Sequence, residues 1–239
     1  MNPTRPHTAT AATGAASTVL TGWTVLFDWN GTLVDDLPRS HLAACAVLES
    51  RGMPTIPLTQ FRDRFRLPLS ALFADLGVPH RVCAAAEAQW NALITGLPVT
   101  LRTGALDMLT VLAHYGAASG VISAAATEAV TPDLHATGTG DLFNVVVGGI
   151  ADKAVALRWF TAHRSAHRSS PRVAYVGDPE HDMSSARRTG ALVIGITGGY
   201  RPAQALREAG AQHLITDLIQ IPELLSATET SRPAPVTRS

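Results

Sequence analysis

Short apolar runs alternate with stretches of helical periodicity from Trp23 onward, and this alternation predicts a parallel β-sheet covered by helices on both faces. The strand candidates are Trp23–Phe27, Ala118–Ile122, residues 144–147, residues 172–176 and Leu192–Ile196, with a short sixth at His213–Ile215. Between them, Ala105, Met108, Leu109 and Leu112 recur at helical spacing ahead of Gly116. Ala156, Trp159, Phe160 and His163 do so after Asp152. Each set is expected to form one buried helical stripe.

One interval breaks the alternation. Residues 37–101 contain no convincing strand, only helical segments at 41–50, 69–76 and 81–94, punctuated by Gly52, Pro54, Pro57, Pro68, Gly77 and Pro98. The pattern therefore predicts a doubly wound, Rossmann-like α/β core of residues 23–36 and 102–225, with a small α-helical cap of residues 37–101 inserted after the first strand. Residues 1–22 are rich in Ala and Thr and read as a disordered extension. The polar tail 226–239, with Pro233 and Pro235, reads the same way.

Composition narrows the class. Of the 239 residues, 46% are apolar and 16% charged, enough to build a sizeable core and too little charge for a disordered chain. Lysine plus arginine and aspartate plus glutamate both total 19, so no global field would recruit nucleic acid or an anionic membrane. An anionic ligand must be captured locally. No stretch approaches the roughly 20 apolar residues of a membrane span, and Cys45 and Cys83 are the only cysteines. Reduced thiols and a cytoplasmic location follow as the expectation. Monomer and homodimer both remain open.

Ligands of open parallel sheets collect at the carboxyl ends of the strands, so the polar residues there are the candidate chemistry. The first strand runs into Asp28, followed by Trp29, Asn30, Gly31 and Thr32; the second ends at Ser123; Lys153 follows the third; the fourth runs into Asp178 and Asp182. A carboxylate nucleophile, a hydroxyl donor, a cation and an acidic pair are what phosphoryl transfer through an aspartyl phosphate needs.

The run FDWNGTLVDD from Phe27 to Asp36 resembles the nucleophile motif of the haloacid dehalogenase superfamily, and VGDPEHDMSSARRTG from Val176 to Gly190 resembles its acidic motif. With Ser123 and Lys153 in order between them, the resemblance covers about residues 23–225. The acidic motif followed by Gly198, Gly199 and Tyr200, together with the small helical insertion, is similar to the phosphoglycolate-phosphatase-like branch. The resemblance implies a Mg²⁺-dependent phosphatase acting on a small phosphorylated metabolite. In that scheme Asp28 attacks phosphorus, and the Asp28 carboxylate, the Asn30 main-chain carbonyl and Asp178 hold Mg²⁺. Gly31, Thr32, Ser123, Ala124 and Lys153 bind the phosphoryl group, Thr32 pins the loop that presents Asp28, and Asp182 orients Lys153 or a metal-bound water. Arg64 and Arg66, in the cap loop with Arg62, are candidates for a further anionic group of the substrate.

Asn30 departs from the family pattern, which has an acid/base aspartate two residues after the nucleophile. An amide can neither protonate a leaving oxygen nor activate water. General acid–base catalysis contributes about 10²- to 10⁴-fold, so the loss would be felt on basic leaving groups, and His181 is a candidate substitute donor. The alternatives that follow are a phosphomutase-like phosphotransferase, in which slow hydrolysis of the aspartyl phosphate is useful, and a catalytically silent binding module of the same fold.

Overall fold

The computed structural model describes residues 20–150, 152–165 and 172–230. The six strand candidates form one all-parallel sheet: β1 (Trp23–Phe27), β2 (Ala118–Ile122), β3 (Val145–Val147), β4 (Arg172–Gly177), β5 (Leu192–Ile196) and β6 (His213–Ile215), in the order β3-β2-β1-β4-β5-β6. The central strand β1 is buried at every position, as a strand covered on both faces must be. On one face Met108, Leu109 and Leu112, Val130 and Leu134, and Ile221 and Leu225 pack against Val25, Phe27, Val121, Ala174 and Ile194. Leu26, Ile122, Val173, Tyr175 and Val193 form the core of the opposite face. The period-2 alternation along β1 and β4 sends their neighbours to the two faces.

The helices are α1 (Leu37–Glu49), α2 (Leu58–Arg64), α3 (Leu69–Asp75), α4 (Cys83–Thr95), α5 (Ala105–His114), α6 (Thr127–Thr137), α7 (Lys153–Ser165), α8 (Glu180–Arg187), α9 (Ala203–Glu208) and α10 (Ile221–Thr230). Helices α1 to α4 follow β1 and gather around their own apolar cluster of Val47, Phe61, Leu72, Phe73 and Trp90. The chain leaves and re-enters the sheet region side by side: Asp35 N–H donates to the Thr100 carbonyl at 2.9 Å, and Arg102 N–H to the Leu33 carbonyl at 2.8 Å. These two bonds pair the segments on either side of the stretch that carries α1 to α4.

Several local expectations change. The stripe of α7 that faces the sheet is Ala154, Leu157 and Phe160, while Trp159 is 54% exposed, because these three at i, i+3, i+6 share the inner face and Trp159 turns off it. His163 lies outside the side chains described. Helix α2 covers part of what reads as loop. Helix α6 is poorly legible in sequence, since Pro132 inside it interrupts the i→i−4 ladder. Order begins earlier and ends later than the sequence suggests. Leu20 is buried and its N–H donates to the Tyr115 carbonyl, and α10 carries the chain through residues 226–230. Residues 1–19 and 231–239 lie outside those described. Among the described residues no helix is long and apolar enough to cross a membrane.

Candidate active site

The strand order reverses direction between β1 and β4, so their carboxyl ends form the topological switch point where open α/β sheets bind ligands. Residues at the two strand ends are therefore neighbours although 150 positions apart. Asp28 N–H donates to the Val176 carbonyl at 2.9 Å, extending the β1–β4 ladder by one bond and setting Asp28 beside the β4 end that leads to Asp178. The turn after Asp28 is closed by main-chain bonds: the N–H groups of Leu33 and Val34 both donate to the Trp29 carbonyl at 3.0 Å, and that of Gly31 to the Val34 carbonyl at 2.9 Å. Gly31 has φ +76°, and a Cβ there would sit 2.5 Å from Asp178 Oδ2, so only glycine allows the two strand-end loops this close. Thr32 does not pin the loop as expected. Its Oγ1 is buried without a hydrogen-bond partner, because the Trp29 carbonyl and Val34 carbonyl already close the turn.

Lys153 begins α7, where Asp152 Oδ1 accepts from Ala154 N–H at 2.9 Å as a helix cap. Its Nζ is buried, 2.7 Å from Asp28 Oδ1 and 2.6 Å from Asp182 Oδ2. Tyr175, inside β4, donates its hydroxyl to the same Asp182 oxygen at 2.6 Å. Nothing in the apolar run of β4 signals this partner beyond a tyrosine in a strand. Ser123 is buried at the end of β2, its Oγ accepting from Ala125 N–H at 3.2 Å, and Ala124 is exposed at the mouth.

Two buried carboxylates, Asp28 and Asp182, share the ammonium of Lys153, and a third, Asp178, lies buried beside Asp28. The electrostatics follow. Burial pushes Asp28 from the ordinary 3.8 up to about 6, with Lys153 offsetting it only in part. Burial and then the Asp28 charge drive Asp178 well above the carboxylate range, against one main-chain donor, Tyr200 N–H at 2.9 Å. Asp182 moves the other way: burial opposes its ionisation, but Lys153, His181 and Tyr175 together hold it below the ordinary value. Burial also disfavours the Lys153 ammonium, and the charges of Asp28 and Asp182 outweigh it and raise its pKa.

The cluster is short of positive charge on the Asp28–Asp178 side. Two carboxylates offer hard oxygen donors there, and the Asn30 carbonyl accepts none of the main-chain bonds that close the turn. Among the described residues no group of three or more His, Cys, Asp or Glu side chains could hold a metal ion.

Asn30 is held by residues that the sequence does not point to. Its Oδ1 accepts from Arg39 Nη2 at 3.3 Å; Arg39, buried on α1, forks onto Asp133 of α6 with contacts of 2.6 and 3.1 Å; Trp29 Nε1 donates to the same Asp133 at 3.1 Å. Trp29 itself fills core, edge-on to Phe143. Tyr200 is another such residue: besides its N–H bond to Asp178, its hydroxyl donates to Asp36 Oδ2 at 3.0 Å and lies 2.9 Å from Ser40 Oγ, and its ring stacks on Phe65 with centroids 4.0 Å apart. Arg201 donates to the Phe65 carbonyl at 2.8 Å. Phe65 is thus the residue of its loop that faces the sheet loops. Arg66 pairs with Asp75 at 2.5 Å and Arg64 is exposed at the end of α2, so the structure does not bring either to Asp28. His181 is 61% exposed with Nδ1 3.8 Å from Asp182 Oδ1.

A pH prediction follows from the buried carboxylates. Asp28 and Asp36 both titrate near 3.8 when unfolded and about 6 when folded, in each case chiefly through burial. Between these values the folded state binds more protons than the unfolded one, so stability falls as pH rises. Melting temperature in chelator should decline from about pH 4 to about pH 6, and added Mg²⁺ should raise it most at the upper end. A melting temperature that climbs across this window would contradict the charge balance described.

Comparison with known proteins agrees with this geometry. Residues 25–196 match the model of the haloacid dehalogenase-like hydrolase family. A phosphoglycolate phosphatase of Xanthomonas campestris pv. campestris is 30% identical over 186 residues, covering 74% of this chain and 84% of that protein. One from Synechococcus elongatus is 27% identical over 203 residues, covering 82% and 95%. Among solved structures, a haloacid dehalogenase-like hydrolase from Streptococcus pneumoniae superposes with a TM-score of 0.74 at 19% identity, covering 87% of this chain and 99% of that one. The family model spans both strand-end motifs and the strands that place them, and the chain therefore belongs to the haloacid dehalogenase-like hydrolases.

Proposed function

We propose that the chain is a Mg²⁺-dependent phosphatase of a small phosphate monoester, turning over through an aspartyl phosphate on Asp28. The observation that carries this reading is the buried trio of Asp28, Lys153 and Asp182 beside Asp178 at the switch point. Asp28 attacks phosphorus, the ester P–O bond breaks and the leaving oxygen departs. Water then cleaves the aspartyl phosphate, releasing phosphate and restoring Asp28. Lys153, fixed by Asp182 and Tyr175, faces the phosphoryl oxygens together with Ser123 and the main-chain N–H groups around Gly31 and Ala124. Asp28, the Asn30 carbonyl and Asp178 would hold Mg²⁺, which when bound supplies positive charge to the transferring group. The insertion of α1 to α4 acts as a cap over this site, and its relatives' name points to substrates of the size of phosphoglycolate. The charge balance and the two free thiols support a cytoplasmic enzyme.

Asn30 favours a second reading, a phosphotransferase that keeps its aspartyl phosphate long enough to pass the group to another hydroxyl. A panel of phosphorylated metabolites, assayed with Mg²⁺ and with EDTA, tests the first reading. Phosphate release on at least one small ester, lost in EDTA and restored by Mg²⁺, is expected. Full activity in chelator would refute the metal-dependent mechanism, transfer to an added sugar phosphate without phosphate release would favour the second reading, and no turnover of any ester would favour a silent binding module.

A further inference from the structure

Asn30 is half-buried between buried neighbours, and its carboxamide oxygen accepts from Arg39 Nη2 at 3.3 Å. With Oδ1 accepting from Arg39 Nη2, the amide nitrogen must lie on the side away from Arg39. Arg39 is held in turn: Asp133 takes both ends of its guanidinium, and Asp133 is steadied by Trp29, the residue directly before Asn30. A planar guanidinium gripped by a carboxylate is a rigid donor, where a lysine would be a mobile point charge. Three side chains from β1's end loop, α1 and α6 therefore fix one bond rotation, two residues from Asp28.

We infer that Arg39, braced by Asp133, is a positioning residue that turns the Asn30 carboxamide so that its N–H groups, not its oxygen, face the space beside Asp28. The inference rests on the phosphatase reading for its consequence. A fixed N–H donor next to the nucleophile lends a hydrogen bond to the departing ester oxygen as charge gathers there, and gives it no proton. Such a site selects leaving groups that depart well as anions, such as enol, acyl or aryl phosphates, over simple alkyl esters. Were the amide reversed, its oxygen would meet the departing oxygen and repel it. The Asp133 carboxylate accepts from Arg39 and Trp29, and among the described residues Arg39 makes no hydrogen bond or ion pair with Asp28, Lys153 or Asp178.

The test is the dependence of kcat/KM on leaving-group pKa across a series of substituted phenyl phosphates. Wild type is compared with Asn30→Ala, with Arg39→Lys and with the paired change Arg39→Met, Asp133→Asn. The paired change removes both charges at once so that neither is left buried alone. Loss of one hydrogen bond that matters most in the transition state should lower kcat/KM about tenfold on the most basic phenol and about twofold or less on the least basic. All three variants should therefore steepen the dependence, with kcat falling more than KM rises. Parallel loss on every substrate would mean that Arg39 only supports the fold and would overturn the proposal. So would a steeper dependence in Asn30→Ala alone. A second measurement does not need turnover. The Asn30 side-chain amide resonance, assigned by its disappearance in Asn30→Ala, should shift in Arg39→Lys and in the paired variant, and an unmoved resonance in both overturns the proposal even in a protein that hydrolyses nothing. Failure of the phosphatase reading shows separately, as absence of phosphate release from every phenyl phosphate by the wild type.

Discussion

Asp28→Asn should abolish turnover while leaving a folded protein. Losses of about 10⁴- to 10⁶-fold accompany removal of a nucleophile whose partners act as a unit, and Asp28 shares its only ammonium with Asp182. The fold should survive for an electrostatic reason. Asp28 is one of two buried carboxylates sharing Lys153, and burial already pushes its pKa to about 6. Replacing it by a neutral isostere relieves that strain in the metal-free protein, so its melting temperature in EDTA should equal or exceed that of wild type above pH 6. Phosphate release and thermal unfolding measured on the same preparation decide the matter. A variant that keeps more than a few per cent of the wild-type rate would place the nucleophile elsewhere, and one that unfolds would make Asp28 a structural residue.

The second large effect concerns the missing acid. From the sequence, Asn30→Asp should restore general acid catalysis and speed alkyl phosphate hydrolysis. The structure changes that expectation. A carboxylate at position 30 would face Arg39 Nη2, which stands 3.3 Å from the present amide oxygen. A guanidinium at that distance favours the ionised form, and an ionised carboxylate has no proton to give. Asn30→Asp alone is therefore expected to change alkyl phosphate turnover by less than about threefold, well short of the span assigned to a positioned donor. Combined with Arg39→Met and Asp133→Asn, the same substitution should raise the alkyl rate by about 10²-fold or more, into the range of a working acid. Ethyl phosphate and 4-nitrophenyl phosphate assayed side by side check this, the second substrate needing no acid and changing little. A tenfold or larger gain from the single substitution would show that Arg39 does not control position 30. No gain from the combination would point to a different proton donor, with the exposed His181 beside Asp182 as the next residue to replace.

Much of the architecture is written locally. Strands β1, β2 and β5 are short, largely apolar runs, the composition that a parallel sheet covered on both faces calls for. Asp28, Ser123 and Asp178 were legible because each directly follows the end of a strand, and Lys153 and Asp182 because each opens or lies in the first turn of the helix that follows one. Helix α6 and residues 20 and 226–230 were not, since a proline masks the first and tertiary contacts order the others.

What the chain could not express locally is which strand ends become neighbours. Position in sequence lists β1 and β4 as first and fourth, and only the sheet order makes them adjacent, which converts separate aspartates into one carboxylate cluster short of positive charge. The same holds for Asn30. By itself it is an amide where the family has an acid, a statement about loss. Arg39 and Asp133 lie 9 and 103 positions beyond it, on helices that meet only in the folded chain, and their ion pair fixes which face the amide presents. Residue identity determined which chemical groups exist. Folding determined their pairing, because a buried charge must find its partner wherever the packing of helices and sheet allows one.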